Sequence, residues 1–445
     1  MRRTVLVLAA LLPLTLLPAA ARGYEPDGGV TFNTPRLWGK PAERERIVLK
    51  VEEAIRHIRP TARDPHPRLI LAAYLFDRPE SAKAIIGACR RGVSVRVIID
   101  RDVRSKPFRR IVTALNADNV RDADNDGTAD SDPRAGRCNR ALPADNGGLR
   151  QERHGIPLMS SRQVTRSLRQ PTANDVTWGK DGSYVLQCSG SCRGAAEAAM
   201  HAKIYAFSSV GTADNVVMLA STNLNSGGVN AGWNDLVVIK ERPRTFEFVA
   251  DMHRLMTAQR RAGSELVELV DGPYTTRFFP MSVGRRRDPL MVDLRKIRCR
   301  SEFGATHLYI QQFWWDGPRG VYLWEKIRSL AVDGCKVHII FGAVDRRLLA
   351  RMRDARRAGL IDLWDSRHDT DDDGEVNIRT HMKALAIRGT YDGNRRYAGV
   401  WTGSANWTDG ALRRGDEVTV NITSAALYRR YVDRWHVVRR HSRRE

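Results

Sequence analysis

His201-Ala202-Lys203, Leu219-Ala220-Ser221-Thr222-Asn223 and Asn234-Asp235-Leu236-Val237-Val238 are answered further along the same 445-residue chain. The second set is His381-Met382-Lys383, Thr402-Gly403-Ser404-Ala405-Asn406 and Asp416-Glu417-Val418-Thr419-Val420. The order His-x-Lys, Ser-x-Asn, acid is therefore written twice. From Lys to Asn the copies span 20 and 23 residues, and from Asn to Asp235 or Glu417 they span 12 and 11. An extended chain puts His and Lys of each triplet on one face, because side chains repeat with period two. One such triplet means little, since His57-Ile58-Arg59 and His66-Pro67-Arg68 arise by chance in the same chain. The repetition in order and spacing carries the signal.

The duplication extends outward from these motifs. In the first half, helical periodicity over Glu43–Ile58 precedes a buried strand at Leu69–Leu75, a helix at Pro79–Cys89 and a strand at Val93–Ile99. In the second half, a helix over Pro289–Ile297 precedes a strand at His307–Phe313, a helix at Gly320–Val332 and a strand at Lys336–Phe341. Gly92 and Gly334 follow equivalent helices, where a left-handed residue is expected. A basic helix comes next in each half, over Lys106–Ala117 and Arg346–Ala358. Alternating strands and helices predict an α/β fold class with two tandem homologous α/β/α sandwich units. Their sheets are expected to be mixed but mainly parallel, and the units to be related by a pseudo-two-fold axis. The first unit is assigned to residues 22–270, with an insertion at about 131–195, and the second to 271–445. The link is placed near Asp271-Gly272-Pro273.

Hydrophobic residues make up 42% of the chain, which excludes a disordered polymer. The net charge is +22 and is spread along the sequence, a field that favours anionic partners or serves only solubility. Arg2, Arg3, the apolar run Val5–Leu17 and Ala19-Ala20-Ala21 have the form of a signal peptide over residues 1–21. The expected location of the mature chain is therefore secreted, extracellular. Six cysteines, Cys89, Cys138, Cys188, Cys192, Cys299 and Cys335, fit a disulfide framework in an exported protein. Cys188 and Cys192 also have the spacing of half a zinc site, and Cys89 and Cys335 fit burial as free thiols equally well.

Each half also carries an aspartate loop. Asp122, Asp124, Asp126 and Asp130 in the first, and Asp369, Asp371, Asp373 and Asn377 in the second, sit at alternate positions of a calcium-loop opening. Pro133 and Thr380 stand where the bidentate Glu is expected. A structural calcium and a solvated acidic turn are the two readings.

In its two His-x-Lys and Ser-x-Asn copies the chain resembles the phospholipase D superfamily, over essentially its whole mature length. That family's signature is His-x-Lys-x4-Asp followed by Gly-Ser-x-Asn. Here Ser208 and Arg388 occupy the Asp positions, and Ala220 occupies the first Gly position, while Gly403 keeps the second. The resemblance implies covalent phosphodiester cleavage, with His201 attacking phosphorus and His381 protonating the leaving alcohol and then activating water. The choice of His201 as nucleophile follows the family's preference for the first copy. Lys203, Lys383, Asn223 and Asn406 would hold the phosphate oxygens, with Ser221 and Ser404 as further hydroxyl donors. Asp235 and Glu417 would orient the imidazoles, Asp416 being a rival to Glu417. The lysines supply the charge that a metal would, so no cofactor is required for catalysis.

Three functions remain open on sequence. One is a secreted phospholipase D acting on a phospholipid headgroup ester, in peripheral contact with a membrane surface. Another is a secreted nuclease of the same family, for which nucleic acid is the substrate. The third is a catalytically silent protein that binds anionic polymers. Because both copies lie in one chain, a monomer is expected. Trp233, Trp314, Trp315, Trp401 and Trp407 are read either as lining the entrance or as core.

Overall fold

The computed structural model describes residues 23–116, 183–188, 190–257, 259 and 261–445. The signal peptide, Cys138, the first aspartate loop (Asp122, Asp124, Asp126 and Asp130) and most of the insertion lie outside the described residues.

Two large sheets carry the molecule. Across the first run Gly29–Phe32, Asp235–Ile239, Ala213–Ala220, Ile204–Val210, Arg68–Ala73, Ser94–Asp100 and Tyr184–Cys188. The second contains the same spatial sequence: Tyr274–Phe279, Glu417–Thr423, Asn394–Gly403, Lys383–Tyr391, His307–Trp315, Lys336–Val344 and Ile361–Asp365. Val267–Asp271 and Arg443–Arg444 extend its two edges. The predicted helices fall between the predicted strands, at Pro41–His57, Pro79–Arg90 and Lys106–Asn116, then Pro289–Arg295, Gly317–Val332 and Arg346–Arg357. Proline stands in the first turn of five of them, where its missing N–H costs nothing. Gly92 and Gly334 take φ of +93° and +96° and end their helices as expected.

The sheets are mixed, but the expectation of mainly parallel pairing does not hold. Parallel pairing is confined to three neighbouring strands in each sheet, those joined by helices. The other neighbours are antiparallel. The reason is local. Gly211, and the pair Asp392-Gly393, adopt positive φ between consecutive strands and close tight hairpins. Asp271-Gly272-Pro273, read from sequence as the link between halves, is likewise the turn of a hairpin inside the second sheet.

Apolar side chains fill both faces of each sheet. One core joins the halves directly: Val217, Val237, Ile239, Phe246 and Val249 pack in one cluster with Phe278, Val418, Val420 and Ile422. The carboxy-terminal helix Ala425–Arg440 adds Tyr428 and Tyr431 to a cluster containing Val30, Met382 and Val400. Cys188–Cys192 and Cys299–Cys335 are disulfides. The zinc half-site reading of the first pair and the free-thiol reading of Cys335 are therefore corrected.

The second aspartate loop is exposed, with carboxylate oxygens of Asp369, Asp371 and Asp373 within 4.8 Å of one another. Asn377 turns inward, donating to Asp371 and accepting from Thr370 N and Oγ1. Thr380, at the twelfth position, is buried and accepts from Gln311.

Candidate active site

Both His-x-Lys triplets sit at the edge of a strand, His201 and His381 just ahead of Ile204–Val210 and Lys383–Tyr391. Each is fixed by the opposite half of the molecule. His201 N donates to Asp416 O at 2.9 Å, and His381 N donates to Trp233 O at 3.0 Å. Gly232-Trp233 pairs with Arg379-Thr380, and Met200 bridges to Asp416. These reciprocal bonds bring the two imidazoles to one cavity of about 650 Å³. Asn223, Asn406 and Glu417 share its lining. Tyr74 lies against His201 with ring centroids 5.0 Å apart, and Phe313 against His381 at 4.6 Å.

The support behind the two histidines differs. His201 Nδ1 lies 2.9 Å from Glu417 Oε1. The carboxylate is an obligate acceptor, so Nδ1 carries the proton and Nε2 is left as the free lone pair. His381 Nδ1 lies 3.0 Å from Asn234 Oδ1. Asn234 Nδ2 is committed to Gly228 O and Gly232 O, at 3.1 and 2.9 Å, which fixes its oxygen toward the ring.

Asp235, expected to orient an imidazole, does not meet one. It is buried, and its carboxylate accepts from Thr402 Oγ1 and Tyr431 OH. The backbone explains the difference. Ser221 N donates to Asp235 O, while Ser404 N donates to Val418 O. Asp235 therefore corresponds to Val418, and Asn234 corresponds to Glu417. The spacing contained this register, because Asn223 to Asn234 and Asn406 to Glu417 are both 11 residues. Residue type masks it, because the first copy carries an amide where the second carries an acid. Asp416, the rival acid, instead holds a loop: it accepts from Ser191 Oγ at 2.7 Å and from the N–H groups of Cys192 and Arg193.

Ser221 and Ser404 are fully buried and bond across to the next strand. Their hydroxyls accept from Asp235 N and Val418 N, both at 3.0 Å. Neither lines the cavity, so the expected role as phosphate donors gives way to a structural one. Gly403 has φ +140°, and a Cβ there would meet Val418 O at 2.2 Å. Ser208, at the first motif-Asp position, donates to Asp64 Oδ2 at 2.6 Å, and Arg388, at the second, lies over the Phe303 ring.

The charged groups feel the burial. Desolvation draws the His201 imidazolium down to about 4, against the opposing pull of Glu417. Burial, then the neighbouring Lys383, Lys203 and His201, lower His381 well below its ordinary value. Burial also brings Lys203 down to about 7 and lowers Lys383 well below its ordinary value, though Glu417 counters both. Each lysine donates back to the carbonyl of its own histidine. They also lie over Tyr74 and Phe313, at 5.3 and 4.7 Å from the ring centres. Neither lysine lines the cavity, and an anion held there would favour, by its charge, the protonated forms that burial disfavours. Asn223 Oδ1 accepts from Tyr74 N and Leu75 N, both at 3.2 Å, which leaves its amide N–H groups for the cavity. Asn406 is steadied through its backbone: Arg319, buried against Asp288, donates to Asn406 O at 3.0 Å. Sequence reasoning missed Asn234, Tyr74, Phe313 and Arg319. Of the five tryptophans, Trp314 is 44% exposed at the cavity mouth, and the other four are core.

The rim has its own character. Leu75 and Trp314 are its exposed apolar residues; Glu197, Asp316 and Asp409 are its carboxylates, Asp409 being paired with Arg413 at 2.7 Å, and Arg414 also lines it.

No curated protein matches this chain. Among solved structures, it is similar to phosphatidylserine synthase of Haemophilus influenzae Rd KW20, with 14% identity over 94% of this chain and 87% of that one, at a TM-score of 0.50. Polyphosphate kinase from Porphyromonas gingivalis matches at 12% identity over 89% of this chain, TM-score 0.47; the chain spans about half, 48%, of that protein's length. Nuc from Salmonella typhimurium, a phospholipase D family member, matches at 18% identity over 39% of this chain and 97% of its own, TM-score 0.28. Residues 61–257 match the family described as cardiolipin synthase, PLD-like domain. Residues 61–257 thus carry a PLD-like domain, and a second His-x-Lys, Ser-x-Asn copy faces the first across one cavity, an arrangement that resembles the phospholipase D superfamily.

Proposed function

We propose that this chain is an exported phosphodiesterase that hydrolyses the headgroup ester of a phospholipid through a phosphohistidine. The single observation that carries the reading is the cavity: two imidazoles face one space with an apolar and acidic rim. A nucleic acid would bring a row of phosphates past Glu197, Asp316 and Asp409, whereas a lipid brings one phosphate and apolar surface for Leu75 and Trp314. The disulfides support export, since such bonds persist in oxidising compartments.

In the first step His201 Nε2 forms a bond to phosphorus. The bond from phosphorus to the headgroup oxygen breaks, and His381 gives that oxygen its proton. Glu417 stabilises the positive charge that develops on the His201 ring, as the acid does in a catalytic triad. His381, now neutral, then takes a proton from water as the water oxygen attacks phosphorus and the P–N bond breaks. Lys203, Lys383, Asn223 and Asn406 hold the non-bridging oxygens through both steps.

The test uses the mature protein in EDTA with phosphatidylcholine vesicles and, separately, with plasmid DNA. Headgroup release without nicking is expected. Nicking without headgroup release selects the nuclease, which the net charge of +22 would equally attract. Tight binding to both with no turnover selects the silent binding protein.

A further inference from the structure

A second, larger cavity of about 1110 Å³ lies along the helices Pro41–His57, Pro79–Arg90 and Lys106–Asn116. Seven cationic side chains and one carboxylate, Glu80, line it. Arg56 pairs with Glu52, and Arg109 donates to a backbone carbonyl. Lys83, Arg90, Lys106 and Arg110 are exposed and, among the described residues, meet no carboxylate. The groove is thus strongly positive, while the catalytic mouth carries Glu197, Asp316 and Asp409.

The two cavities share no lining residue but lie close at one point. Leu75 lines the catalytic one and Lys106 the basic one, and between them Ser105 Oγ donates to Phe76 O at 2.6 Å. We propose that this basic groove docks anionic lipid headgroups, seating the enzyme on the surface that carries its substrate. The proposal rests on the phospholipid reading above. A nucleic acid strand running from groove to catalytic cavity would have to cross the acidic rim. A lipid surface need not, because a single headgroup enters the cavity while its neighbours stay on the groove. Basic clusters beside a bilayer gain from its negative surface potential, and that gain falls with salt.

The experiment compares co-sedimentation with vesicles of phosphatidylcholine, with and without phosphatidylglycerol, over a salt series. The variants are Lys83→Ala/Arg90→Ala/Lys106→Ala/Arg110→Ala and the charge-keeping Lys83→Arg/Arg90→Lys/Lys106→Arg/Arg110→Lys. The wild type should bind phosphatidylglycerol vesicles in a salt-sensitive way. The alanine variant should bind on the order of a hundredfold more weakly, and the charge-keeping variant like wild type. Hydrolysis of soluble bis(p-nitrophenyl) phosphate should stay the same in all three, which reads the catalytic centre independently of docking. Undiminished vesicle binding by the alanine variant overturns the proposal, as does wild-type indifference to phosphatidylglycerol. Tighter wild-type binding to a DNA duplex than to vesicles at equal salt, lost in the alanine variant, overturns it in favour of a nucleic acid partner. Headgroup-blind vesicles with intact docking would instead sink the substrate reading and leave the groove standing.

Discussion

The two halves place the same residues around one cavity and then differ behind the rings. Glu417 stands at His201, and Asn234 stands at His381, in equivalent positions. A carboxylate favours a ring that becomes positive, whereas an amide oxygen orients a ring without fixing its charge. The fold repeats, but the electrostatics differ, and the proposed mechanism uses that difference: a nucleophile on the carboxylate side and a proton carrier on the amide side.

Replacing the rings themselves tests that assignment most severely. His201→Ala should lower turnover by about 10⁴-fold or more and leave no trapped phosphoenzyme. His381→Ala should still form the phosphoenzyme from a p-nitrophenyl ester, whose leaving group needs no proton, and should accumulate it. Alkaline-quench labelling, which spares the acid-labile P–N bond, reads both, and a label on the His201→Ala protein alone would reverse the roles. Glu417→Gln comes next, with kcat reduced about 10³-fold and KM little changed. Asn234→Asp gives a smaller effect of about tenfold. Its added carboxylate raises the His381 pKa, so the alkaline limb of the pH profile should move upward. The acid limb of kcat/KM should fall near pH 4 in the wild type, because His201 is neutral above about 4 and a neutral ring is the nucleophile. A limb at the ordinary histidine value would contradict the burial. Ser221→Ala is the mildest change: about 1 kcal/mol of stability in a denaturant titration, with KM unaltered. A raised KM would return Ser221 to the phosphate site.

The part of this comparison that sequence made legible was the repetition. Strand and helix positions followed from buried apolar runs and from prolines and glycines at their ends. His, Lys and Asn could be named because their order recurs. The pairing behind the rings was hidden, since Asn234 and Glu417 differ in chemistry and an acid one residue later, Asp235, drew attention away. The direction of strand pairing was hidden too, although Asp392-Gly393 carried a hairpin signal. Asp416 belongs to the same class. Its partners Ser191, Cys192 and Arg193 are more than 220 residues away in sequence, and only folding brings them together.

The crossed backbone bonds, His201 N to Asp416 O and His381 N to Trp233 O, have a consequence for the life of the molecule. Catalytic competence and cohesion between the halves depend on the same few atoms. On warming, hydrolysis should fade as the seam breathes, ahead of the melting of either sheet, and severing the chain into two fragments would leave neither one a working enzyme.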